Sequence, residues 1–145
     1  MKLIIQRVKK AKVTSEGKLV GQIGKGLFIL LGVSKHDSPT NSYAMAQKLV
    51  DLRIMADKDG KMNLSVRDTG EEVLVVSQFT LYADTSEGRR PSFVNAAKPE
   101  LAKQIYTAFI GKLRELGVKV EIGSFGNYME IESVADGPVT IILES

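Results

Sequence analysis

The stretch Leu27-Phe28-Ile29-Leu30-Leu31-Gly32-Val33 is a continuous apolar run in a chain of 145 residues. Strands that are buried on both faces of a sheet lack the alternation of polar and apolar side chains that half-buried strands show. Gly24-Lys25-Gly26 comes directly before the run and is typical of a turn. The run therefore predicts a central strand that is covered on both faces.

Two further strands are predicted before that turn, over residues 2–13 and 19–23. In the first, the period of two places Arg7 on the same face as Leu3 and Ile5. Two interpretations of Arg7 are open. Either it has an acceptor inside the fold, because an unpaired buried charge is costly, or it lies near the strand end and reaches water.

Two amphipathic helices are predicted. The first begins at Ser38-Pro39, a capping serine followed by a proline in the first turn. The second opens at Lys98-Pro99-Glu100 and ends at Gly117. The apolar face of the first helix comprises Tyr43, Ala46, Leu49 and Val50 and extends to Arg53. The stripe of the second comprises Leu101, Ile105, Ala108, Phe109, Leu113 and Leu116.

The remaining strands are predicted over residues 72–81, 118–122, 128–134 and 139–143, with a loop over 84–92. Asp136-Gly137 favours a hairpin turn, because both residues tolerate positive φ, and Pro138 would then open the last strand. The alternative is a cis Gly137–Pro138 bond that folds the main chain sharply and aims its carbonyls outward.

Strands outnumber helices, and there is no regular βαβ alternation. We therefore predict an α+β fold: a single domain over residues 1–145, with a mostly antiparallel or mixed, barrel-like sheet covered by two main helices.

Composition excludes several classes of protein. No apolar run approaches the length of a membrane span, and the N-terminus lacks the apolar core of a signal peptide. There is no cysteine, which excludes disulfides, thiolate chemistry and cysteine zinc sites. We therefore expect a cytoplasmic protein with no membrane partner.

The net charge of +3 is unevenly distributed. Residues 1–35 contain eight Lys or Arg and one acid, whereas residues 120–145 contain five acids and no base. A basic N-terminal third is compatible with RNA binding. It is equally explained by basic sheet edges, which keep strands from pairing with other chains.

Familiar catalytic patterns are absent. The only histidine, His36, lies in a polar loop, and a zinc site would have to rest on carboxylates. The acidic turn at residues 57–60 lacks the other ligands of a calcium loop. Neither a phosphate loop nor a dinucleotide fingerprint is present. We predict no cofactor and no metal.

The stretch Ser77-Gln78-Phe79-Thr80-Leu81 changes character along one strand face. Leu74 and Val76 share that face with Gln78 and Thr80, so it changes from apolar to hydrogen-bonding. One interpretation is a strand that enters a pocket, where an amide and a hydroxyl orient a ligand. The other is an exposed strand end whose polar groups face water.

Ser77-Gln78-Phe79-Thr80-Leu81, together with Gly137-Pro138-Val139-Thr140, resembles the two signature motifs of the D-aminoacyl-tRNA deacylases. The resemblance extends to the start of the chain, to Gly88-Arg89-Arg90-Pro91-Ser92-Phe93 and to Phe125-Gly126-Asn127-Tyr128-Met129. One position departs from the family pattern: Ala135 stands where asparagine is usual.

The resemblance implies a homodimer with active sites at the subunit interface. A cis Gly137–Pro138 unit of one subunit would enter the pocket around Ser77 to Thr80 of the other. The substrate would be tRNA esterified with a D-amino acid, or with glycine mischarged on tRNA-Ala.

The resemblance also implies roles for single residues. Backbone N–H groups around Phe79 and Thr80 would stabilise the oxyanion. Gln78 and Thr80 would orient the substrate, with Thr80 as nucleophile a second option, and Ser77 would complete the catalytic set. Carbonyls of Gly137 and Pro138 would exclude an L side chain by collision.

Further residues would support that site. Arg7 would hold the Gly-Pro unit, and Met129 would pack near it. Arg89 and Arg90 are candidate phosphate contacts. Two other functions are open: a non-catalytic RNA-binding module, which the basic N-terminus would allow, and a small-molecule esterase that uses Thr80 or Ser77.

Overall fold

The computed structural model describes all residues from Met1 to Ser145. The eight strands are β1 (Lys2–Ser15), β2 (Lys18–Ile23), β3 (Gly26–Gly32), β4 (Met55–Ala56), β5 (Met62–Leu64), β6 (Glu72–Ser77), β7 (Val120–Ile122) and β8 (Glu130–Glu144). The helices are α1 (Pro39–Val50), α2 (Val66–Thr69) and α3 (Pro99–Glu115), with a 3-10 helix over Phe79–Tyr82.

The first strand, β1, is the spine of the sheet. Along one edge it pairs antiparallel with β8 over almost its whole length. Along the other edge its first half pairs with β3 and its second half with β2, both antiparallel. From β3 the sheet continues through parallel pairs to β6 and β7.

The sheet curls until its ends nearly meet, because β7 comes back against β2. A Cβ built on Gly21 of β2 would lie only 2.6 Å from the carbonyl oxygen of Ile122 in β7. Glycine is therefore the residue that allows this approach. The predicted α+β fold with a mixed, barrel-like sheet is confirmed.

The apolar run at residues 27–33 forms the predicted central strand. β3 lies between β1 and β6, and its residues are buried, with the exception of the half-buried Leu30. One face of the sheet, with Leu3, Ile5 and Val75, packs against α1 and α3 in a core of 23 buried residues. The other face encloses a second cluster of seven, which includes Val8 and Phe28.

Helix α1 begins as predicted at Ser38, whose side chain caps Asn41. Its predicted apolar face is wrong in two places. Tyr43 is 47% exposed, and Arg53 lies beyond the helix. The buried face includes Ser42 instead, which can be buried because its hydroxyl donates a hydrogen bond of 2.6 Å to the Pro39 carbonyl.

Helix α3 matches the prediction more closely. Ile105, Phe109 and Leu113 are buried, and Gly117 follows the helix with φ of +84°. Leu101 and Leu116 are only partly buried, while Tyr106 and Ile110 complete the buried face.

Three strand boundaries differ from the prediction. β6 ends at Ser77, where residues 72–81 were predicted to form one strand. β7 is reduced to Val120–Ile122. The predicted strands over 128–134 and 139–143 are one strand, β8, so the hairpin interpretation of Asp136-Gly137 is wrong. No helix is both long and apolar enough to cross a membrane.

Candidate active site and tRNA-binding surface

The first candidate segment, residues 77–80, leaves the sheet at the end of β6. The N–H of Gln78 donates to the Leu31 carbonyl at 2.8 Å, which is its last link to β3. The chain then turns into the 3-10 helix, which packs directly on Gly32. A Cβ on Gly32 would lie 3.0 Å from Leu81 Cβ and 3.2 Å from the Gln78 oxygen. A glycine on the central strand therefore makes room for the turn.

Because of this turn, the prediction that Gln78 and Thr80 share a strand face with Leu74 and Val76 is wrong. Residues 78–81 do not continue the strand, so Gln78 and Thr80 are neighbours through the helix rather than on one strand face. The Gln78 amide donates a hydrogen bond to Thr80 Oγ1. No carboxylate, imidazole or amine contacts that hydroxyl, so Thr80 has no base beside it.

The main-chain donors of this segment are free. Phe79 and Thr80 open the 3-10 helix, where the first N–H groups have no acceptor within the helix. No loop carbonyl or side chain accepts from them. Two unpaired N–H groups next to a hydroxyl and an amide can stabilise negative charge that develops on a carbonyl oxygen.

Phe79 presents its ring to solvent beside that segment. It is 55% exposed and meets Phe93 edge-on, with ring centroids 5.1 Å apart and an interplanar angle of 67°. Ser77 is half-buried at the strand end. Polar groups and an apolar wall thus lie together at one edge of the barrel.

The second candidate segment, Gly137–Pro138, protrudes from β8. Ala135 pairs with Val8 and Thr140 with Gln6, so β8 advances five residues while β1 advances two. The extra residues bulge outward, and both Gly137 and Pro138 are exposed. Their peptide bond is cis. Gly137 has φ of +123°, and a Cβ there would lie 3.0 Å from the Val139 nitrogen.

Arg7 supports the base of this protrusion. Its Nη1 donates to the Ile54 carbonyl at 2.9 Å, and its Nε lies 3.0 Å from Asp136 Oδ2. The Nε–H does not point at the carboxylate, so this atom makes an ion pair without a hydrogen bond. Of the two interpretations of Arg7, the first one holds. Its side chain has acceptors inside the fold and is only 11% exposed.

Met129 lies beside the first segment and not beside its own Gly137–Pro138 unit. The Ser124 N–H donates to its sulfur at 3.2 Å. A Cβ on Gly123 would touch both that sulfur and Val76, the residue before Ser77. Glu130, the residue after Met129, pairs with Thr14 of β1. The protrusion lies opposite Arg7, which is seven residues from Thr14 along β1, or about 23 Å.

The two candidate segments are apart within one chain. Gln78 is held at the level of Leu31, which pairs with Leu3, whereas Gly137 lies opposite Arg7. The two segments are offset by four residues along the strand direction, about 13 Å, and by three strand spacings across the sheet, about 14 Å. Three surface cavities of about 340 to 1000 Å³ have walls that include none of residues 77–80, Gly137 and Pro138.

The arginine pair lies on a hairpin that borders the first segment. Asp84 and Ser92 form a two-way backbone bridge at 2.8 Å, which closes a loop over residues 85–91. Hydrogen bonds from the Ser86 side chain and backbone lower the pKa of Asp84. Arg89 and Arg90 are exposed at the tip, and neither forms an ion pair.

Sequence reasoning missed three supporting residues. Asp136 pairs with Arg7, and Phe93 packs on Phe79. Tyr106 donates from α3 to the Val75 carbonyl at 2.8 Å, and burial raises its pKa to about 12. For Tyr106 the signal was available, since it is adjacent to Ile105 on the apolar stripe. No group of three His, Cys, Asp or Glu side chains is placed to hold a metal ion.

Comparison with known proteins gives a consistent result. A family model described as D-Tyr-tRNA(Tyr) deacylase matches residues 4–144. The D-aminoacyl-tRNA deacylase of Fervidobacterium nodosum is 52% identical over 145 residues, covering 100% of this chain and 97% of that protein. The protein of the same name from Bacillus velezensis is 50% identical and covers 100% and 99%.

Solved structures with the same fold are also found. The c-Myc DNA Unwinding Element Binding Protein matches with a TM-score of 0.93 at 40% identity, covering 100% of this chain and 99% of that chain. A probable eukaryotic D-amino acid tRNA deacylase shares the fold, with a TM-score of 0.85 at 17% identity over 98% and 97%. With both motifs in place on this fold, the chain belongs to the D-aminoacyl-tRNA deacylases, a family of hydrolases that act on ester bonds.

Proposed function

We propose that this protein removes D-amino acids from tRNA at an active site to which two copies of the chain contribute. The observation that carries the proposal is the separation described above. Phe79, Thr80 and Gly137–Pro138 are exposed, and the two segments lie too far apart in one chain to hold one substrate. A second copy would bring its protrusion to the first segment.

The surface of β8 supports such a pairing. This strand has one edge on β1, and its other edge has no partner strand. Long unpaired edges are usually blunted or covered. β8 also exposes Ile131, Val134 and Ile142, the last of them 62% exposed. Apolar side chains on an open edge are suited to burial against a twin molecule.

The chemistry that this site supports is ester hydrolysis without a protein base. Water attacks the ester carbonyl, the neighbouring ribose 2′-hydroxyl relays the proton of the water to the ribose 3′-oxygen, and the C–O bond to that oxygen breaks, which gives the free amino acid and the tRNA 3′-hydroxyl. The free N–H groups of Phe79 and Thr80 stabilise the oxyanion. Gln78 and Thr80, linked by their hydrogen bond, position the substrate, and Ser77 directly precedes them at the end of β6.

Steric exclusion selects between the D- and L-aminoacyl groups of the substrate. The carbonyls of Gly137 and Pro138 bind the α-amino group and fill the volume that an L side chain needs. Glycine has no side chain, so glycyl-tRNA, including glycine mischarged on tRNA-Ala, is also a substrate. Arg7 and Asp136 fix the protrusion, and Met129 of the other subunit packs against it.

The tRNA body would meet the arginine hairpin. Arg89 and Arg90 are exposed, carry no ion pair and lie on the loop that follows the 3-10 helix, so they are free to contact phosphates. The chain has no cysteine, which suits the reducing cytoplasm, where we place its action.

The test is deacylation by the purified protein without added cofactor. We expect release of D-tyrosine from D-tyrosyl-tRNA and no release of L-tyrosine from L-tyrosyl-tRNA. Binding of both tRNAs without hydrolysis would instead identify an RNA-binding module. Hydrolysis of simple esters that lack tRNA would identify a small-molecule esterase.

The role of Thr80 is separately testable. If the hydroxyl only positions the substrate, Thr80→Ala retains measurable activity. Complete loss of activity in a variant that folds and binds tRNA would show that Thr80 is the nucleophile. The same assay on tRNA that ends in 2′-deoxyadenosine measures the contribution of the ribose hydroxyl.

A further inference from the structure

A groove continues from the 3-10 helix toward the arginine hairpin. Its volume is about 430 Å³, and its walls include Lys2, Tyr82, Asp84, Thr85, Ser86 and Asn95. It begins at Leu81, the residue after Thr80, and follows the chain into the loop that carries Arg89 and Arg90. Along the chain, the groove therefore lies between Thr80 of the candidate reaction centre and the loop that carries the candidate phosphate contacts.

The groove is large enough for one nucleobase, and it is an open cleft in which three of the eight lining residues are hydrophobic. Ligand pockets start at about 300 Å³ and combine an apolar or aromatic wall with a few polar groups. Here the aromatic group is Tyr82, and the Lys2 ammonium lies 5.3 Å from the centre of its ring. An aromatic ring beside a cation is the combination that binds unpaired bases without regard to sequence.

Two polar side chains in the groove are free to bind. The Thr85 hydroxyl and the Asn95 amide form none of the side-chain hydrogen bonds found within the chain, whereas Asp84 already accepts from the Ser86 N–H at 2.9 Å and from its hydroxyl at 2.6 Å. An amide offers both donors and an acceptor to the edge of a base.

The charge around the groove suits an anionic backbone. Lys35 lies next to Asn95, whose carbonyl accepts from the Lys35 N–H at 3.1 Å, and Arg89 and Arg90 lie on the loop that begins with Thr85 and Ser86. Asp84, which accepts from Ser86, and Glu87 are the acids on the loop side. Asp37 and Glu144 lie near Tyr82, and they pair with the N-terminal ammonium at 2.6 Å and with Lys2 at 3.1 Å. Unpaired cations thus flank the groove.

We infer that this groove holds the nucleotide that precedes the esterified one in the single-stranded 3′ end of tRNA. The inference rests on the proposed function, since it places the ester at Thr80. From there the RNA strand leaves over Leu81 and Tyr82, one base enters the groove against Tyr82, and the next phosphates meet the arginines. Affinity for tRNA over the bare esterified nucleoside comes from this groove.

The experiment fills the groove and compares two substrates. Thr85→Trp adds bulk without removing any of the side-chain hydrogen bonds in the fold, and Thr107→Trp, on the exposed face of α3, is the matched control. We expect Thr85→Trp to raise the KM for D-tyrosyl-tRNA about tenfold, with kcat little changed. Hydrolysis of 3′-O-(D-tyrosyl)adenosine, which has no preceding nucleotide, stays at the parent rate.

A binding measurement covers the case in which the parent enzyme is slow on the adenosine ester. A fluorescent trinucleotide CCA should bind Thr85→Trp about tenfold more weakly than it binds the parent and Thr107→Trp, and Asn95→Ala should weaken it severalfold. Unchanged KM and unchanged trinucleotide binding in Thr85→Trp would overturn the inference. Equal damage on both ester substrates would also overturn it.

The result separates this inference from the proposed function. If the parent protein hydrolyses neither ester, the proposed function fails and the inference fails with it. If the parent hydrolyses D-tyrosyl-tRNA and Thr85→Trp does so with an unchanged KM, only the groove has been misassigned.

Discussion

Arg7 shows how one residue connects the fold to the site. Its side chain is largely buried in an apolar face, which is tolerable only because the Ile54 carbonyl and Asp136 receive its charge. Asp136 directly precedes Gly137. The same ion pair therefore satisfies a buried cation and fixes the start of the protrusion.

Asp136→Asn should weaken selection more than stability. The substitution keeps the shape of the side chain and removes the counter-charge of Arg7, so the protrusion is held less firmly. We expect the ratio of D-tyrosyl-tRNA to L-tyrosyl-tRNA hydrolysis to fall about tenfold, which corresponds to about 1.4 kcal/mol.

Glu132→Gln is the control for that substitution. Glu132 also pairs from β8 to a cation of β1, Lys12 at 2.9 Å, but it is largely exposed and remote from the protrusion. The ratio of the two rates should be unchanged in this variant. An equal fall in both variants would show that loss of a β8 charge, and not the hold on Gly137, sets the ratio.

For single residues, the sequence predicts that a buried charge requires an acceptor, but it does not predict which residue provides that acceptor. The strand period placed Arg7 on an apolar face, and burial of a charge required an acceptor. The identity of that acceptor depended on a bulge 129 residues away, which no local pattern could reveal. The prediction that Tyr43 is buried is wrong for a similar reason. The Ser42 hydroxyl donates to the Pro39 carbonyl, so Ser42 can take the buried position.

At the scale of elements, the closure of the barrel depends on a single glycine. Gly21→Ala would place a methyl group 2.6 Å from the Ile122 oxygen, which is backbone and cannot rotate away. We expect a loss of about 1–3 kcal/mol in the free energy of unfolding, measured by urea denaturation.

Gly24→Ala lies three residues away and meets nothing within 4 Å. It should unfold like the parent. A loss of the same size in both variants would contradict the proposed contact between β2 and β7.

The short helix α2 should respond to acid through Asp68. Hydrogen bonds from the Ser65 backbone and then from its side chain lower the pKa of Asp68 below 3.8 in the folded state. A carboxyl whose folded-state pKa is depressed stabilises the fold above its unfolded-state pKa, and this stabilisation is lost as the pH falls through the folded-state value.

Asp68→Asn should therefore be less stable than the parent at pH 7, and the difference should shrink as the pH falls below about 3.8. Urea midpoints at pH 7 and pH 3 measure this. A difference that stays constant between the two pH values would show that the carboxylate charge contributes nothing.

Element boundaries were predictable where a cap or an apolar run set them. The starts of α1 and α3 and the extent of β3 follow from Ser38-Pro39, Lys98-Pro99 and the run at 27–33. The end of β6 could not be predicted from the local sequence. The chain turns away at Gln78 because Gly32, on another strand, leaves room for the 3-10 helix. The capping box Ser65-x-x-Asp68 is a local signal for the start of α2.

For the whole molecule, the proposal of a shared site makes a quantitative prediction. Thr80→Trp blocks one half of the site, and Gly137→Ala disturbs the other, because a Cβ there would lie 3.0 Å from the Val139 nitrogen. Each variant alone should be inactive. In a mixed dimer, one site combines both defects and the other combines none.

Equal amounts of the two variants, unfolded and refolded together, should recover about a quarter of the parent activity. Half of the randomly formed dimers are mixed, and each has one intact site of two. The parent, unfolded and refolded in parallel, is the control for recovery. No recovered activity in a mixture that forms mixed dimers would mean that each site lies within one chain.

The pairing of β8 with β1 also bears on how the protein is made. In the antiparallel register Lys2 lies opposite Glu144 and Thr14 opposite Glu130, so this edge of β1 has no partner until the ribosome has delivered more than a hundred further residues. During that interval a nascent chain carries a long, open β edge, the kind that recruits neighbours into aggregates. Lys9, Lys10 and Lys12 belong to this strand, and we expect repulsion between their charges to oppose pairing of two nascent chains until the last strand of the same chain arrives.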